Sequence, residues 1–202
     1  MRNLQQEQIK EVIEEINNGA VVAVPTETVY GLAVKFDNKI AIDKLIAIKE
    51  RDSDSGKFFT LLLSSTDDIQ KYATPGESAT EIVNKHFPGE LTVVLRKNPE
   101  FVNVYFDDCQ TIGIRIPDHE FMLELLRGTG PLLVTSANRK GQTPATNSNS
   151  VEQDLPEVDV IVVGDAGNHP PSTVVDLTTD VPKVLRQGRE LANSYKESRI
   201  MN

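Results

Sequence analysis

The chain has 202 residues, of which 39% are hydrophobic and 25% charged, a composition that indicates a globular domain rather than a disordered chain. Its 21 Lys and Arg residues against 30 Asp and Glu residues give a net charge of −9, which disfavours a non-specific nucleic-acid coat or a membrane-surface role but leaves room for a local basic site. Because Cys109 is the only cysteine, an intramolecular disulfide framework and any multi-cysteine zinc or iron–sulfur site are excluded.

Apolar residues at helical spacing alternate along the chain with short runs of β-branched residues. The segment 9–16 has apolar side chains at i, i+3, i+4 and i+7 and predicts an amphipathic helix that ends at Gly19. The run AVVAV at 20–24 predicts a strand buried on both faces, so the polar stretch from Thr26 to Tyr30 follows its carboxyl end. Further helices are predicted at 42–49, 65–72, 82–86 and 120–127. Further strands are predicted at 58–63, 91–97, 111–116, 131–135, 158–163, 173–177 and 183–186.

The interleaved strands and helices indicate one α/β domain over residues 1–190, followed by a tail with few apolar residues at 191–202. The polar stretch 139–150 is predicted to be the longest loop. The N-terminal segment lacks the apolar centre of a signal peptide, and no run approaches 18 apolar residues. We therefore expect a cytoplasmic protein without a membrane partner.

Common phosphate and metal motifs are missing from the sequence. Neither G-x-x-x-x-G-K-[ST] nor G-x-G-x-x-G occurs. His86, His119 and His169 are too far apart for a zinc site, and the segment 52–56 lacks most ligands of a calcium loop. Cys109 has no neighbouring group that would activate it and is interpreted as a half-buried packing residue.

Hydroxyl, amide and cationic side chains collect instead at the ends of the predicted elements. Along 111–116 the isoleucines face one way, so Thr111 and Arg115 share the opposite face. The clusters are Thr26 to Tyr30, Lys49 with Arg51 and Lys57, Thr111 with Arg115, Ser136 with Asn138, and Ser172 with Thr173. Each cluster alone is compatible with capping, turn chemistry or solvated charge, whereas several of them at strand ends favour a polyanionic ligand.

Seven segments together resemble one known family. They are PTETVYGLA at 25–33, K-x-R at 49–51, FTLLLSS at 59–65, FPGELTVVL at 87–95, TIGIRIP at 111–117, TSAN at 135–138 and STVVDL at 172–177. In this order, from about residue 8 to Arg189, they resemble the YrdC-like threonylcarbamoyl-AMP synthase family. The resemblance implies an α/β fold in which a single twisted mixed sheet is flanked by helices and carries a concave basic face.

The resemblance also implies an activity and its partners. The family joins L-threonine, bicarbonate and ATP into threonylcarbamoyl-adenylate and releases pyrophosphate, and the product serves the modification of tRNA. ATP with Mg²⁺ is then a substrate, no protein side chain is expected to bind a metal, and zinc, haem and flavin are not expected. Double-stranded RNA or tRNA and proteins that transfer the threonylcarbamoyl group onward are further expected partners.

Site residues are implied by position within the matching segments. The residues expected to act on the reacting phosphate are Lys49, Arg51 and Arg115. The residues expected to contact threonine are Thr26, Tyr30, Arg115, Ser172 and Thr173. The residues expected to contact ATP are Lys49, Arg51, Lys57, Thr111, Ser136, Asn138 and Arg186.

One segment departs from the synthase pattern. After Arg51 the chain continues DSDSGKFFTLL, which is two residues longer than the family's usual text and lacks its two prolines. This spacing resembles that of the YciO-like paralogs. The alternative is therefore a paralog that binds a nucleotide, double-stranded RNA or tRNA without efficient synthase activity.

Overall fold

The computed structural model describes residues 1–49, 59–103, 105–167 and 169–189. Within these ranges the chain forms a ten-stranded mixed sheet. Its strands are β1 (Arg2–Leu4), β2 (Val22–Val24), β3 (Gly31–Lys35), β4 (Thr60–Leu62), β5 (Leu91–Arg96), β6 (Thr111–Arg115), β7 (Leu132–Ser136), β8 (Val160–Val162), β9 (Thr173–Asp176) and β10 (Lys183–Arg186). The helices are α1 (Ile9–Asn17), α2 (Lys39–Ile48), α3 (Ile69–Tyr72), α4 (Glu77–His86), α5 (Glu120–Thr129) and α6 (Ser148–Asp154). The predicted fold class, a single-domain mixed α/β sheet with helices, is confirmed.

The strand order is β1-β8-β2-β3-β7-β4-β6-β5-β9-β10. The pairs β1–β8, β2–β8, β4–β6 and β5–β9 are parallel, and the remaining neighbours are antiparallel. The register places Leu62 of β4 beside Arg115 of β6, and Gly31 of β3 beside Ser136 of β7. Residues from distant parts of the sequence therefore meet across the middle of the sheet.

Side-chain alternation divides the apolar core between the two faces of the sheet. Leu32 and Val34 of β3 belong to a cluster that includes residues of α2, α3, α4 and α6. Ala33 between them belongs to a second cluster, formed mainly with α1 and α5. Leu62 and Val134 lie in this second cluster as well, and beyond them polar side chains of β4, β5 and β6 occupy the same face.

Local sequence signals account for several element ends. Gly19 follows α1 with φ of 91°, the left-handed conformation expected of a glycine after a helix. Asn38 caps α2, because its Oδ1 accepts a hydrogen bond from the Ala41 N–H at 3.1 Å. Ser65 likewise accepts a hydrogen bond from the Asp67 N–H at 3.2 Å. The predicted helix end at Gly19 and the predicted start at Ser65 are confirmed, whereas α2 begins three residues before the predicted residue 42.

Three elements differ from the sequence-based expectations. The predicted loop 139–150 is wrong at its end, because α6 begins at Ser148 after Asn147 Oδ1 caps the Ser150 N–H at 2.9 Å. The short strands β1 and β3 were not predicted, since each is recognised only by its pairing with a strand from elsewhere in the chain.

Cys109 is half-buried against the larger apolar cluster, as predicted.

Two predicted site residues, Arg51 and Lys57, and the predicted tail 191–202 lie outside the described residues. Within the described ranges, no helix combines the length and apolar character needed to cross a membrane.

Two isoleucines on helices provide a matched test of the core. Ile16 of α1 is 0% exposed between that helix and the sheet, whereas Ile40 of α2 is 82% exposed. We expect Ile16→Ala to lower the free energy of unfolding by about 2–5 kcal/mol, because it removes buried methylenes and leaves a cavity. Ile40→Ala is expected to change it by about 0.5 kcal/mol or less. Urea denaturation of both variants checks this, and equal losses would contradict the assignment of the second core cluster.

Candidate active site

A cleft of about 140 Å³ lies over the middle of the sheet, on the face that carries α1 and α5. Its lining combines apolar and polar side chains from strands β4 to β7, from the 26–31 segment and from the chain on either side of β9. The polar side chains of this lining are Thr26, Thr28, Tyr30, Thr60, Thr92, Arg115, Thr135, Ser136, Ser172 and Arg186. Such a volume matches a small polar molecule or part of a larger one.

Arg115 is the most constrained charge of the cleft. Its side chain leaves β6 on the face opposite Ile112 and Ile114, as the alternation predicts, and the residue is only 8% exposed. Arg115 Nε donates to the Gly89 carbonyl at 3.1 Å, and Nη2 lies 2.8 Å from Glu27 Oε1. Nη1 and Nη2 lie 3.4 and 3.5 Å from Thr28 Oγ1, so this hydroxyl occupies the open fork of the guanidinium. A carboxylate could take the same position and bind both nitrogens.

Hydroxyl groups of the 26–28 segment lie next to this guanidinium. Thr26 Oγ1 donates to the Val29 carbonyl at 2.7 Å and accepts from the Thr28 N–H at 3.2 Å. Thr26 and Thr28 hydroxyl oxygens are 3.1 Å apart. Thr26 thus lines the cleft, and its hydroxyl also holds the turn that presents Thr28.

A second guanidinium, that of Arg186, borders the cleft. Arg186 Nε donates to the Ser172 carbonyl at 3.0 Å and Nη2 to Ser172 Oγ at 3.1 Å. Ser172 Oγ in turn lies 2.8 Å from Thr92 Oγ1 of β5. Although the residue is exposed, desolvation of the guanidinium and then the positive charge of Arg115 lower the pKa of Arg186. The two cations therefore act on each other across the cleft.

Lys49, a predicted ATP contact, does not line the cleft, and its role towards ATP stays a prediction. The residue is 1% exposed, and Nζ donates to the Ser136 carbonyl at 2.7 Å, to Asn138 Oδ1 at 3.0 Å and to the Asn138 carbonyl. Ser136 Oγ donates to Asn138 Oδ1 at 2.6 Å. Lys49 therefore holds the end of β7 and the turn that follows it. Of Ser136 and Asn138, Ser136 lines the cleft and Asn138 does not.

Tyr30 and Thr173 also bind the protein itself. The Tyr30 hydroxyl donates to the carbonyls of Val162 and Gly164, at 2.8 and 2.9 Å, so it points towards the end of β8. Thr173 is fully buried, and its Oγ1 accepts from the Gly188 N–H at 3.0 Å. Tyr30 borders the cleft, and Thr173 is not among the residues that line it.

The residues of the predicted site that the structure brings together in the cleft lining are Thr26, Tyr30, Arg115, Ser136, Ser172 and Arg186. Thr111 is exposed at the opposite end of β6 from Arg115, beside Arg96 of β5, and does not line the cleft. The roles given to these residues stay predictions.

Five polar residues of the site were not among the predicted site residues, namely Glu27, Thr28, Thr60, Thr92 and Thr135. Glu27 and Thr28 lie within the matching segment PTETVYGLA, so that segment was the available signal. Thr92 alternates on β5 with Leu91 and Val93, which lie in the larger core cluster, so alternation would have placed it on the cleft face.

The described residues do not form a metal site. No group of three or more His, Cys, Asp or Glu side chains in the described ranges could hold a metal ion, and no carboxylate lines the cleft there. Glu27, whose carboxylate contacts the cleft residue Arg115, also accepts a hydrogen bond from the Asp118 N–H at 2.8 Å. These residues do not fit a resident metal.

Comparisons with known proteins agree with this architecture. A family model named Sua5/YciO/YrdC and described as telomere recombination matches residues 14–188. The threonylcarbamoyl-AMP synthase of Vibrio vulnificus strain YJ016 is 33% identical over 186 residues, covering 89% of this chain and 98% of that protein. An uncharacterized protein of Haemophilus influenzae is 32% identical over 191 residues, covering 92% of this chain and 91% of that protein.

Two solved structures share the fold. P. abyssi Sua5 complexed with L-threonine superimposes with a TM-score of 0.86 at 27% identity, covering 98% of this chain but only 60% of that one. E. coli YciO superimposes with a TM-score of 0.84 at 28% identity, covering 96% of this chain and 95% of that one. The fold and site define an α/β protein with a cleft lined by two guanidinium groups on a mixed sheet. The chain belongs to the Sua5/YciO/YrdC family.

Gly167 tests how the 26–28 segment is held. Its N–H donates to the Thr26 carbonyl at 2.9 Å, and a Cβ at this position would lie 1.9 Å from the Glu27 carbonyl oxygen. We expect Gly167→Ala to lower the free energy of unfolding by about 1–3 kcal/mol, because one backbone segment must move away from the other. Gly113→Ala is the control, since its Cβ would meet nothing closer than 3.7 Å. Urea denaturation measures both, and an unaffected Gly167→Ala variant would contradict this close contact.

Tyr30 provides a pH-dependent test of the same region. Burial raises its pKa to about 12, while a hydrogen bond with Ser148 lowers it and the charge of Asp165 raises it further. Between about pH 10 and 12 the unfolded chain loses this proton and the folded chain keeps it, so stability falls as pH rises. We expect the unfolding free energy of the unaltered protein to fall more steeply above pH 10 than that of Tyr30→Phe. Parallel profiles in urea denaturation would contradict a buried Tyr30 hydroxyl.

Proposed function

We propose that this protein is an L-threonylcarbamoyladenylate synthase, which makes threonylcarbamoyl-AMP from L-threonine, bicarbonate and ATP and releases pyrophosphate. The product would serve the N6-threonylcarbamoyladenosine (t6A) modification of tRNA. The observation that carries the proposal is the buried fork of Arg115, open to a cleft that a second guanidinium borders. One guanidinium suits the amino-acid carboxylate and the other suits phosphate oxygens. The similarity to synthases and to a threonine complex of Sua5 supports these assignments.

Arg115 and its hydroxyl neighbours are proposed to bind threonine. A carboxylate that replaces Thr28 Oγ1 in the guanidinium fork would form two charge-assisted hydrogen bonds. Thr26, Thr28 and Ser172 then provide hydroxyl partners for the remaining polar groups of the amino acid. The amine of threonine combines with bicarbonate to give a carbamate and water, and no biotin is needed because the nitrogen belongs to the substrate itself.

Arg186 and Ser136, which lie on opposite sides of Arg115 in the strand order, are proposed to bind the nucleotide. A carbamate oxygen attacks the α-phosphorus of ATP, a new P–O bond forms, and the bond to pyrophosphate breaks. Negative charge develops on the phosphoryl oxygens and the leaving group, where a positioned guanidinium stabilises it. Magnesium enters with ATP as part of the substrate. Lys49 contributes by holding the turn that carries Ser136, and Arg51, Lys57 and Thr111 stay predicted nucleotide contacts.

A second candidate function rests on the segment after Arg51, which departs from the synthase pattern and resembles the spacing of the YciO-like paralogs. E. coli YciO shares the fold at 28% identity, and the match covers 95% of that chain. The alternative is a paralog that binds a nucleotide, double-stranded RNA or tRNA in the same cleft without efficient synthesis of the adenylate.

One assay separates the two functions. Purified protein is incubated with ATP, threonine and bicarbonate, and pyrophosphate release and the nucleotide product are followed. The synthase proposal expects release that requires threonine and a product that contains its threonylcarbamoyl group. Release that does not require threonine, or none when the t6A-transfer proteins are supplied, favours the paralog. Binding of tRNA that weakens steeply with added salt would further support an RNA role.

Arg115 provides the variant that tests the threonine assignment. We expect Arg115→Ala to raise KM for threonine about 10- to 100-fold, because a hydrogen bond to a charged group contributes about 1.5–3 kcal/mol. Arg127→Ala on the exposed face of α5 is the control and should leave KM unchanged. Initial rates at varied threonine concentration give the comparison. An unchanged KM in a folded Arg115→Ala variant would refute the assignment.

A further inference from the structure

Glu27 is buried in an unusual way for a carboxylate. Its side chain is 14% exposed, and Oε1 accepts hydrogen bonds from Arg115 Nη2 and from the Asp118 N–H, each at 2.8 Å. Oε2 is buried and has no hydrogen-bond partner in the described part of the chain. A buried oxygen without a partner costs about 1–3 kcal/mol of folding free energy. The Glu27 carboxylate therefore lowers the stability of the fold at this position, and a functional role for its charge would account for that cost.

Among the described residues, the charge of Glu27 acts on Arg115 and on no competing cation. The imidazole of His119 lies close enough to Glu27 for that carboxylate to affect it, but burial lowers the pKa of His119 and keeps the ring neutral at neutral pH. Arg115 is in direct contact with Glu27, and the two charges compensate each other. The Arg115 half of the cleft therefore has a net charge near zero.

Without this compensation, the cleft would contain two neighbouring cations. Arg115 and Arg186 both line it, and the charge of Arg115 acts on Arg186 strongly enough to contribute to the lowering of its pKa. A pair of uncompensated guanidiniums is a strong site for a polyvalent anion such as pyrophosphate. A monocarboxylate would then compete poorly with phosphate groups for Arg115.

We propose that Glu27 is a specificity-determining residue that neutralises Arg115, so that the cleft is divided into a half for a monocarboxylate and a half for phosphate groups. The inference rests on the proposed function, because that reaction needs an amino acid and a polyphosphate side by side. Glu27 stays behind Arg115 and outside the cleft lining. It selects the ligand through the charge of Arg115 and not by contact.

The test measures inorganic pyrophosphate binding by calorimetry at constant ionic strength. Glu27→Gln keeps the size and a carbonyl acceptor but removes the charge, and we expect it to tighten pyrophosphate binding about tenfold, as expected when a unit charge near an anion is removed. Glu27→Asp keeps the charge and should bind pyrophosphate as the unaltered protein does. Glu157→Gln, which removes an exposed carboxylate 2.7 Å from Arg139, is the control and should change nothing.

A merely structural Glu27 would lower the melting temperature without changing the dissociation constant of pyrophosphate. Tightening of threefold or more in Glu27→Gln supports the proposal, and a smaller change or weaker binding overturns it. Should that variant not fold, the unaltered protein decides: a divided cleft binds threonine and pyrophosphate together, and mutual exclusion overturns the proposal. If the unaltered protein shows no threonine-dependent synthesis, the proposed function is refuted. The proposal for Glu27 is still tested in that case, because the ratio of pyrophosphate dissociation constants between Glu27→Gln and the unaltered protein does not depend on synthesis.

Discussion

The site depends on one constraint, a guanidinium buried at the end of a central strand. Removing a charge from water costs several kcal/mol unless nearby groups replace its hydration, so Arg115 requires acceptors from the chain around it. Glu27 and Thr28 supply two of them, and the Gly89 carbonyl supplies a third. Gly167 then fixes the backbone of the segment that carries Glu27. One charge thereby determines the relative positions of segments that lie far apart in the sequence.

Sheet register turns this constraint into a cleft. Ile114 pairs with Leu61 on one side and Val93 on the other, and all three face the larger apolar core. The same alternation places Arg115 and Thr92 on the opposite face, where α1 and α5 leave the middle strands uncovered. Because alternate residues of these strands face the larger apolar core, the residues between them face the cleft, and the polar side chains are concentrated there.

Features that depend on the periodicity of apolar residues could be predicted from the sequence, whereas side-chain contacts between distant residues could not. Alternation placed Arg115 on the polar face of its strand, and the structure confirms this. Helix α6 was missed because Val151 is its buried residue and one apolar position has no period. Lys49 was predicted to contact ATP from its place in the matching segment K-x-R, and that contact stays a prediction. Its actual acceptors, at Ser136 and Asn138, are nearly 90 residues further along the chain, and no local pattern reports them.

The net charge of −9 and a cleft for anions are compatible because the two act at different distances. Exposed charges are screened within about 8–10 Å at physiological salt, so the acidic surface affects the approach of an anion more than its bound state. At the distance of a direct contact, the nearest groups dominate. Glu27 is the carboxylate in direct contact with Arg115, and its single charge therefore has more influence on which anion binds there than the excess of acidic residues at the surface.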